Sequence, residues 1–292
     1  MIIKGVLPDQ ININKHKQMK KVLLPTDFSE NSKNAINWAM QFYKNEKVTF
    51  VLIHSYFSPQ SGSSAVVSIN EILRKQAVED LAKYKNELES KFNNNLHEII
   101  TKEVYGDVLH AVKSLTEELK DVVVVVGAKG MGAVEEIFIG SNTSAVVKEA
   151  DAPVFVIPQN VVFKPVQKLA LAVDFQENIN QNVLQPLKEI LNKTNAILKV
   201  FYVENEDGKV SNEQETKITE YLNAQLNQNT EIIHISDEDP LAGVQKFVHS
   251  HNIDSLVTIN RKKGFFENFF HKSFSKQVAL HTDTPLLVLH DK

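Results

Sequence analysis

The sequence predicts an α/β fold of two doubly wound parallel-sheet domains in tandem. Three observations predict it. Short apolar runs alternate with amphipathic stretches, the pattern of strands buried on both faces between covering helices. The same order of elements is written twice along the chain. The length, 292 residues, is about twice the commonest single-domain size.

Taken in order, Lys20 to Phe28 is a short apolar run ending in turn residues and reads as a buried strand. A helix should follow, capped by Ser29 or Asn31, with Ala35, Ile36, Ala39, Met40 and Phe42 on one face and Trp38 at its edge. Val48 to His54 predicts a second strand, and the polar, Ser-rich stretch 57–70 a loop. Leu73, Ala77, Leu81, Tyr84, Leu88 and Phe92 mark one stripe of a long helix. Glu98 to Val104 is a third strand and Val108 to Leu119 a third helix. Five consecutive valines within Asp121 to Val126 predict a strand covered on both sides. A helix over 142–150 and a strand over Pro153 to Ile157 complete the unit.

The second half repeats this plan. Gln167 to Asn178 mirrors Lys20 to Asn31, with Asp174, Phe175, Glu177 and Asn178 over Asp27, Phe28, Glu30 and Asn31. Ile197 to Val203 matches Val51 to Phe57, Ser255 to Ile259 matches the valine strand, and Thr284 to Leu289 mirrors Ala152 to Ile157. Such agreement at both ends of each half points to duplication. The expected organisation is an N-terminal extension over 1–18, a first domain over 19–158, a linker over 159–167 and a second domain over 168–290.

Composition narrows the function classes. A formal net charge of -4 gives no bulk attraction to nucleic acid or anionic membrane, so neither is an expected partner. Without cysteine there are no disulfides, thiolate chemistry or Cys-ligated metal. No apolar run is long enough to span a bilayer, and residues 1–18 lack the core of a signal peptide. A cytoplasmic location is the expectation.

The chemistry is carried by the segment after the valine strand, Gly127-Ala-Lys-Gly130, nine further residues, then Gly140-Ser141-Asn142-Thr143. Gly127 and Gly130 allow the backbone to leave the strand tightly and approach a ligand with no Cβ in the way. Gly140 and Ser141 stand where the next helix begins, so its free N–H groups and positive dipole end offer an anion site. Hydroxyls of Ser141, Thr143 and Ser144 add contacts. In an open α/β sheet this loop lies at the carboxyl ends of the strands, and Asp27 ends the first strand at the same rim. The pattern is neither a P-loop nor a dinucleotide fingerprint, since no Gly-Lys-Ser/Thr follows and the loop trails a late strand.

Together with Leu24-Pro25-Thr26-Asp27-Phe28-Ser29-Glu30-Asn31-Ser32 and the closing Ala152 to Ile157 strand, this loop resembles the universal stress protein family, whose domains are Rossmann-like. The likeness covers nearly all of 19–158 and, more weakly, 166–290. It implies an adenine nucleotide, ATP or alternatively AMP or ADP, with Mg²⁺. Pro25, Thr26 and Asp27 would lie on the adenosine side and the backbone near Ser55 beside the adenine. Gly127, Gly130, Gly140, Ser141, Asn142 and Thr143 would hold the phosphates. The resemblance also implies pairing of the last strands. Here 154–157 and 286–289 would pair within one chain as a pseudo-dimer, and a homodimer of chains stays open.

The second half departs from the pattern. Its loop positions carry Ile259, Lys262 and Lys272, with only Ser273 retained, so bulky side chains would crowd out a polyphosphate. Arg261, Lys262, Lys263 and Lys272 read as a basic solvated loop. His54 reads as a strand-end cap, Glu135 and Glu136 as a wet loop face, and no residue set reads as a metal site or as catalytic. The resulting expectation is a regulatory nucleotide-binding protein of the stress response with one working site. A slow ATPase or nucleotide hydrolase, and a partner-binding scaffold with a vestigial site, are the alternatives.

Overall fold

Five valines in a row have no polar face to offer water, so their strand belongs in the middle of a sheet, and that is where it lies. The computed structural model describes residues 19–57, 65–128, 141–173, 175, 182–204, 210–237, 240–260 and 284–291. The first half runs β1 (Lys20–Pro25), α1 (Glu30–Phe42), β2 (Val48–Tyr56), α2 (Ala65–Phe92), β3 (His97–Tyr105), α3 (Val108–Leu119), β4 (Val122–Ala128), α4 (Ser141–Glu149) and β5 (Val154–Pro158). The second runs β6 (Lys168–Ala172), α5 (Gln185–Thr194), β7 (Ile197–Val203), α6 (Asn212–Leu226), β8 (Ile232–Ile235), α7 (Pro240–His251), β9 (Ser255–Asn260) and β10 (Leu286–His290).

All ten strands form one sheet in the order β3-β2-β1-β4-β5-β10-β9-β6-β7-β8. Within each half every pair is parallel, and the order reads the same outward from the middle. The halves meet where β5 and β10 run antiparallel, with Val156 opposite Leu286, Phe155 opposite Leu287 and Val154 opposite Val288. The expected intrachain pairing of the last strands is therefore present. It converts two exposed strand edges into a ladder.

Alternation along the buried strands sends side chains to both faces, and each face carries one core running through both halves. One holds Leu24, Trp38, Phe50, Phe155, Leu171, Leu187 and Leu287 beneath α1, α2, α5 and α6. The other holds Leu23, Val124, Val146, Ala170, Phe201, Phe247 and Val288 beneath α3, α4 and α7. Trp38, expected at the edge of the α1 face, is 2% exposed and packs on Phe42 and Phe155. At ring-centroid distances of 4.8 and 5.2 Å, it bridges helix and sheet.

Two expectations need correction. The stretch 65–70 belongs to α2, which starts at Ala65, because nothing from there onward breaks a helix. Secondly, Lys21 pairs with Thr49 while its counterpart Lys168 pairs with Ile197, so Ile197 stands over Thr49 and Val203 over Ser55. The ladder thus sets Ile197 two positions earlier than the expected match to Val51. Ladder register fixes the remainder: Val124 faces Val154 and Leu256 faces Leu286, which sets Ile259 over Gly127 and Asn260 over Ala128.

Segment 159–167 contains neither helix nor strand, and Asn34 Nδ2 donates to the carbonyls of Pro158 and Val161 at 3.2 and 3.1 Å. No helix among the described residues is long and apolar enough to cross a membrane.

Candidate functional site

The order of strands reverses direction at β1, whose neighbours are β2 and β4. Crossovers leave a doubly wound sheet toward opposite faces at such a point, which opens a crevice above the carboxyl ends. Asp27 and Gly127 both end up at this crevice, from strands 100 residues apart in sequence.

Local chemistry shapes the β1 end. Thr26 N–H donates to the Ile53 carbonyl at 2.8 Å, extending the ladder past Pro25, and the buried Thr26 hydroxyl lies 3.0 Å from that of Ser32. Phe28 then adopts φ 60, a left-handed conformation that is unusual for a bulky residue. Its ring lies 4.7 Å from His54 and 6.1 Å, edge-on, from Tyr84, which holds it there. The reversal brings Ser29 to the N-cap of α1, its side chain accepting from the Ser32 N–H. His54 Nδ1 donates to the Thr26 carbonyl at 2.8 Å, the strand-end role expected of it.

Asp27 is exposed at the rim. Burial pushes its carboxyl up, but hydrogen bonds from the Ser29 hydroxyl and backbone, with Ser32 adding to them, outweigh that effect and hold it below the usual carboxylate range. It is thus an ionised group facing the crevice.

A Cβ built at Gly127 would lie 2.5 Å from the Asn31 carbonyl oxygen and 2.8 Å from its carbon. The space a side chain would fill is taken by the first turn of α1, so packing against this helix by itself calls for glycine here. The Thr143 hydroxyl donates to the Gly127 carbonyl at 3.0 Å and so anchors α4 to β4, leaving its backbone N–H in the first turn of the helix. Ser141 and Asn142, the first two residues of α4, are exposed with the free amide end of the helix. Ser55 stands near the end of β2 opposite Val104. Gly130, Gly140, Glu135 and Glu136 lie outside the described residues, as do Arg261, Lys262, Lys263, Lys272 and Ser273.

The structure thus brings Pro25, Thr26, Asp27, Gly127, Ser141, Asn142 and Thr143 to one rim. It adds Asn31, which the sequence marked only as a possible cap. The Oδ1 atom of Asn31 is buried and has no hydrogen-bond partner among the described residues. Its repetition as Asn178 was the one available signal.

The corresponding rim of the second half is built differently. Ile259, 6% exposed, occupies the Gly127 position, and α5 begins only at Gln185, preceded by Leu184 with no side-chain cap. α1 starts three residues after Asp27, whereas α5 starts 11 after Asp174.

A cavity of about 1160 Å³ lies elsewhere, between the amino ends of β1 and β4 and the α5 helix. It is spanned by Lys20–Glu189 at 2.6 Å and by Lys193, which pairs with Glu46 and sits 3.6 Å above the Phe42 ring. Charged groups already paired across a seam between halves make it a structural groove. Among the described residues no grouping of His, Asp and Glu is arranged to hold a metal.

Comparison with known proteins places this rim in context. Residues 19–158 match the model of the universal stress protein family. A universal stress protein of Methanocaldococcus jannaschii is 29% identical over 163 residues, covering 54% of this chain and 92% of the relative. A second from that organism is 27% identical over 154 residues, covering 47% and 94%. The crystal structure of a universal stress protein from Archaeoglobus fulgidus is similar over 94% of this chain and 100% of its own, with a TM-score of 0.72 at 20% identity. That last likeness is one of fold.

Proposed function

We propose that this chain, whose residues 19–158 match the universal stress protein family, is a stress-response regulator holding one adenine nucleotide, ATP or alternatively AMP or ADP, in its first half. The observation that carries this reading is the asymmetry of two otherwise repeated rims. The first presents the exposed amide end of α4, tied to β4 by Thr143, beside the Asp27 carboxylate. The second has Ile259 and a late-starting α5.

The described residues fit a polyphosphate with a sugar. Free amides at a helix start suit the phosphate charge. The unpartnered Asn31 Oδ1 wants a donor, which a hydroxyl or a bound water supplies. Mg²⁺ would accompany the phosphates, with Asp27 offering a carboxylate at this rim. The exposed side chains of Ser141 and Asn142 add polar groups to the first-turn amides of α4.

Calorimetric titration of the full chain with ATP tests the reading. One site per chain is expected, and Gly140→Val should abolish it. Two sites, or none, refute it. Multiple-turnover hydrolysis lost in Asp27→Asn would move the protein to the enzyme class instead.

A further inference from the structure

We infer that Asn260 and His290 of the second half are positioning residues for the nucleotide site of the first, acting through α4. The inference rests on the nucleotide reading for its function but on independent contacts for its geometry.

α4 has nine residues, too few to be a stable helix by itself, and its last-turn carbonyls have no partners within the helix. Two of them are satisfied from the other half of the chain. The Val147 carbonyl accepts from His290 Nε2 at 2.8 Å, and the Lys148 carbonyl accepts from Asn260 Nδ2 at 3.1 Å. Asn260 ends β9, His290 ends β10, and the two are ladder partners, so both donors come from one rigid corner.

That corner is the counterpart of the place where the first half starts its own glycine loop. Asn260 stands over Ala128 and His290 over Pro158, neither of which carries a side-chain donor. The donors are therefore a feature of the second half alone. The β5–β10 ladder delivers them, since its antiparallel direction brings the end of β10 alongside the start of β5 and the end of α4. With a carbonyl oxygen as its partner, His290 Nε2 carries the proton of the hydrogen bond to Val147.

α4 is consequently held at both ends. Thr143 ties its first turn to Gly127 of its own half, and the second half ties its last turn. A helix of about 13 Å with only its front tether can pivot, which disperses the amide groups that a phosphate needs converged. The half without a glycine loop thus sets the axis of the anion site in the half that has one.

The test compares the full-length chain with the Asn260→Ala/His290→Leu double variant and with His290→Gln, which keeps a donor of similar reach. Two readouts are taken, ATP titration and amide hydrogen exchange over residues 141–149 without ligand. The double variant is expected to bind ATP about 5-fold or more weakly, at the low end of ordinary site-to-site coupling, and to exchange faster over α4. His290→Gln should stay near wild type in both, which general destabilisation would not produce. Unchanged ATP affinity in the double variant overturns the inference while leaving the nucleotide reading intact. If the wild-type chain binds no ATP, that reading falls and exchange alone decides: unchanged rates over 141–149 overturn the brace, and faster rates rescued by glutamine uphold it.

Discussion

Replacing Gly127 with alanine separates two reasons for a glycine at the end of β4. A Cβ there meets the Asn31 carbonyl oxygen at 2.5 Å, its carbon at 2.8 Å and Ser32 N at 3.2 Å. Ordinary carbon contacts fall at about 3.5 Å or more, so the first turn of α1 must retreat by about 1 Å. The obstacle is backbone, which cannot rotate aside like a side-chain tip. Overpacking of this kind costs about 1–3 kcal/mol. Against it stands a gain of about 0.4–1 kcal/mol from restricting the unfolded chain. The net expectation is destabilisation by about 1–2 kcal/mol, read as a lowered denaturant midpoint at unchanged slope. Ile259, at the equivalent position, makes the reverse case. It is buried, and Ile259→Ala should cost about 2–5 kcal/mol by leaving a cavity. Adding one carbon in the first half and removing three in the second should therefore both destabilise. Were Gly127 required for ligand approach instead, Gly127→Ala would leave the unliganded stability unchanged and lower only the affinity for ATP. That outcome would refute the packing argument.

Two further predictions concern pH. Lys193 is largely buried against Phe42 and Tyr43, and desolvation lowers its pKa from 10.5 to about 8 despite the Glu46 partner. Between those values the unfolded chain binds the extra proton, so Lys193 makes stability rise with pH across that window. Subtracting the Lys193→Met curve from wild type should reveal the rise, and a flat difference would count against it. Burial likewise lowers the pKa of His290 from 6.5, outweighing the backbone carbonyls that favour its charged form. Its contribution is complete above 6.5 and is lost as pH falls below, so His290→Gln should lose less stability between pH 7.5 and 5 than wild type does in denaturant titrations.

Much of this molecule was legible beforehand because its signals are local. The α3 limits, Val108 to Leu119, follow from an Asp cap and a clean apolar stripe, and β4 from an unbroken valine run. The repeat exposed the duplicated sheet, and the resemblance foretold the β5–β10 pairing. What escaped was set by distance in sequence. The two-residue offset of β7 depends on which carbonyl each amide finds across the ladder, and an apolar run matches equally well when slid. The spacing of Thr143 from Gly140 suits a ligand group. Only the fold shows its hydroxyl proton given to a carbonyl 16 residues earlier.

Gly127 holds the more general lesson, since the fold gives a packing reason for a glycine that the sequence reads as room for a ligand. The Cβ position is taken by the turn that places Asp27 and the α1 cap. The dependence runs through packing: glycine admits the early turn, the turn fixes Ser29, and Ser29 holds the Asp27 carboxyl ionised at the rim. In the second half buried Ile259 holds the equivalent position, and α5 is described from Gln185. The two halves thus share strand order and cores while differing in residue size at this position. Those cores and the central ladder hold the two halves together, and the strand ends of the second half take the contacts with α4.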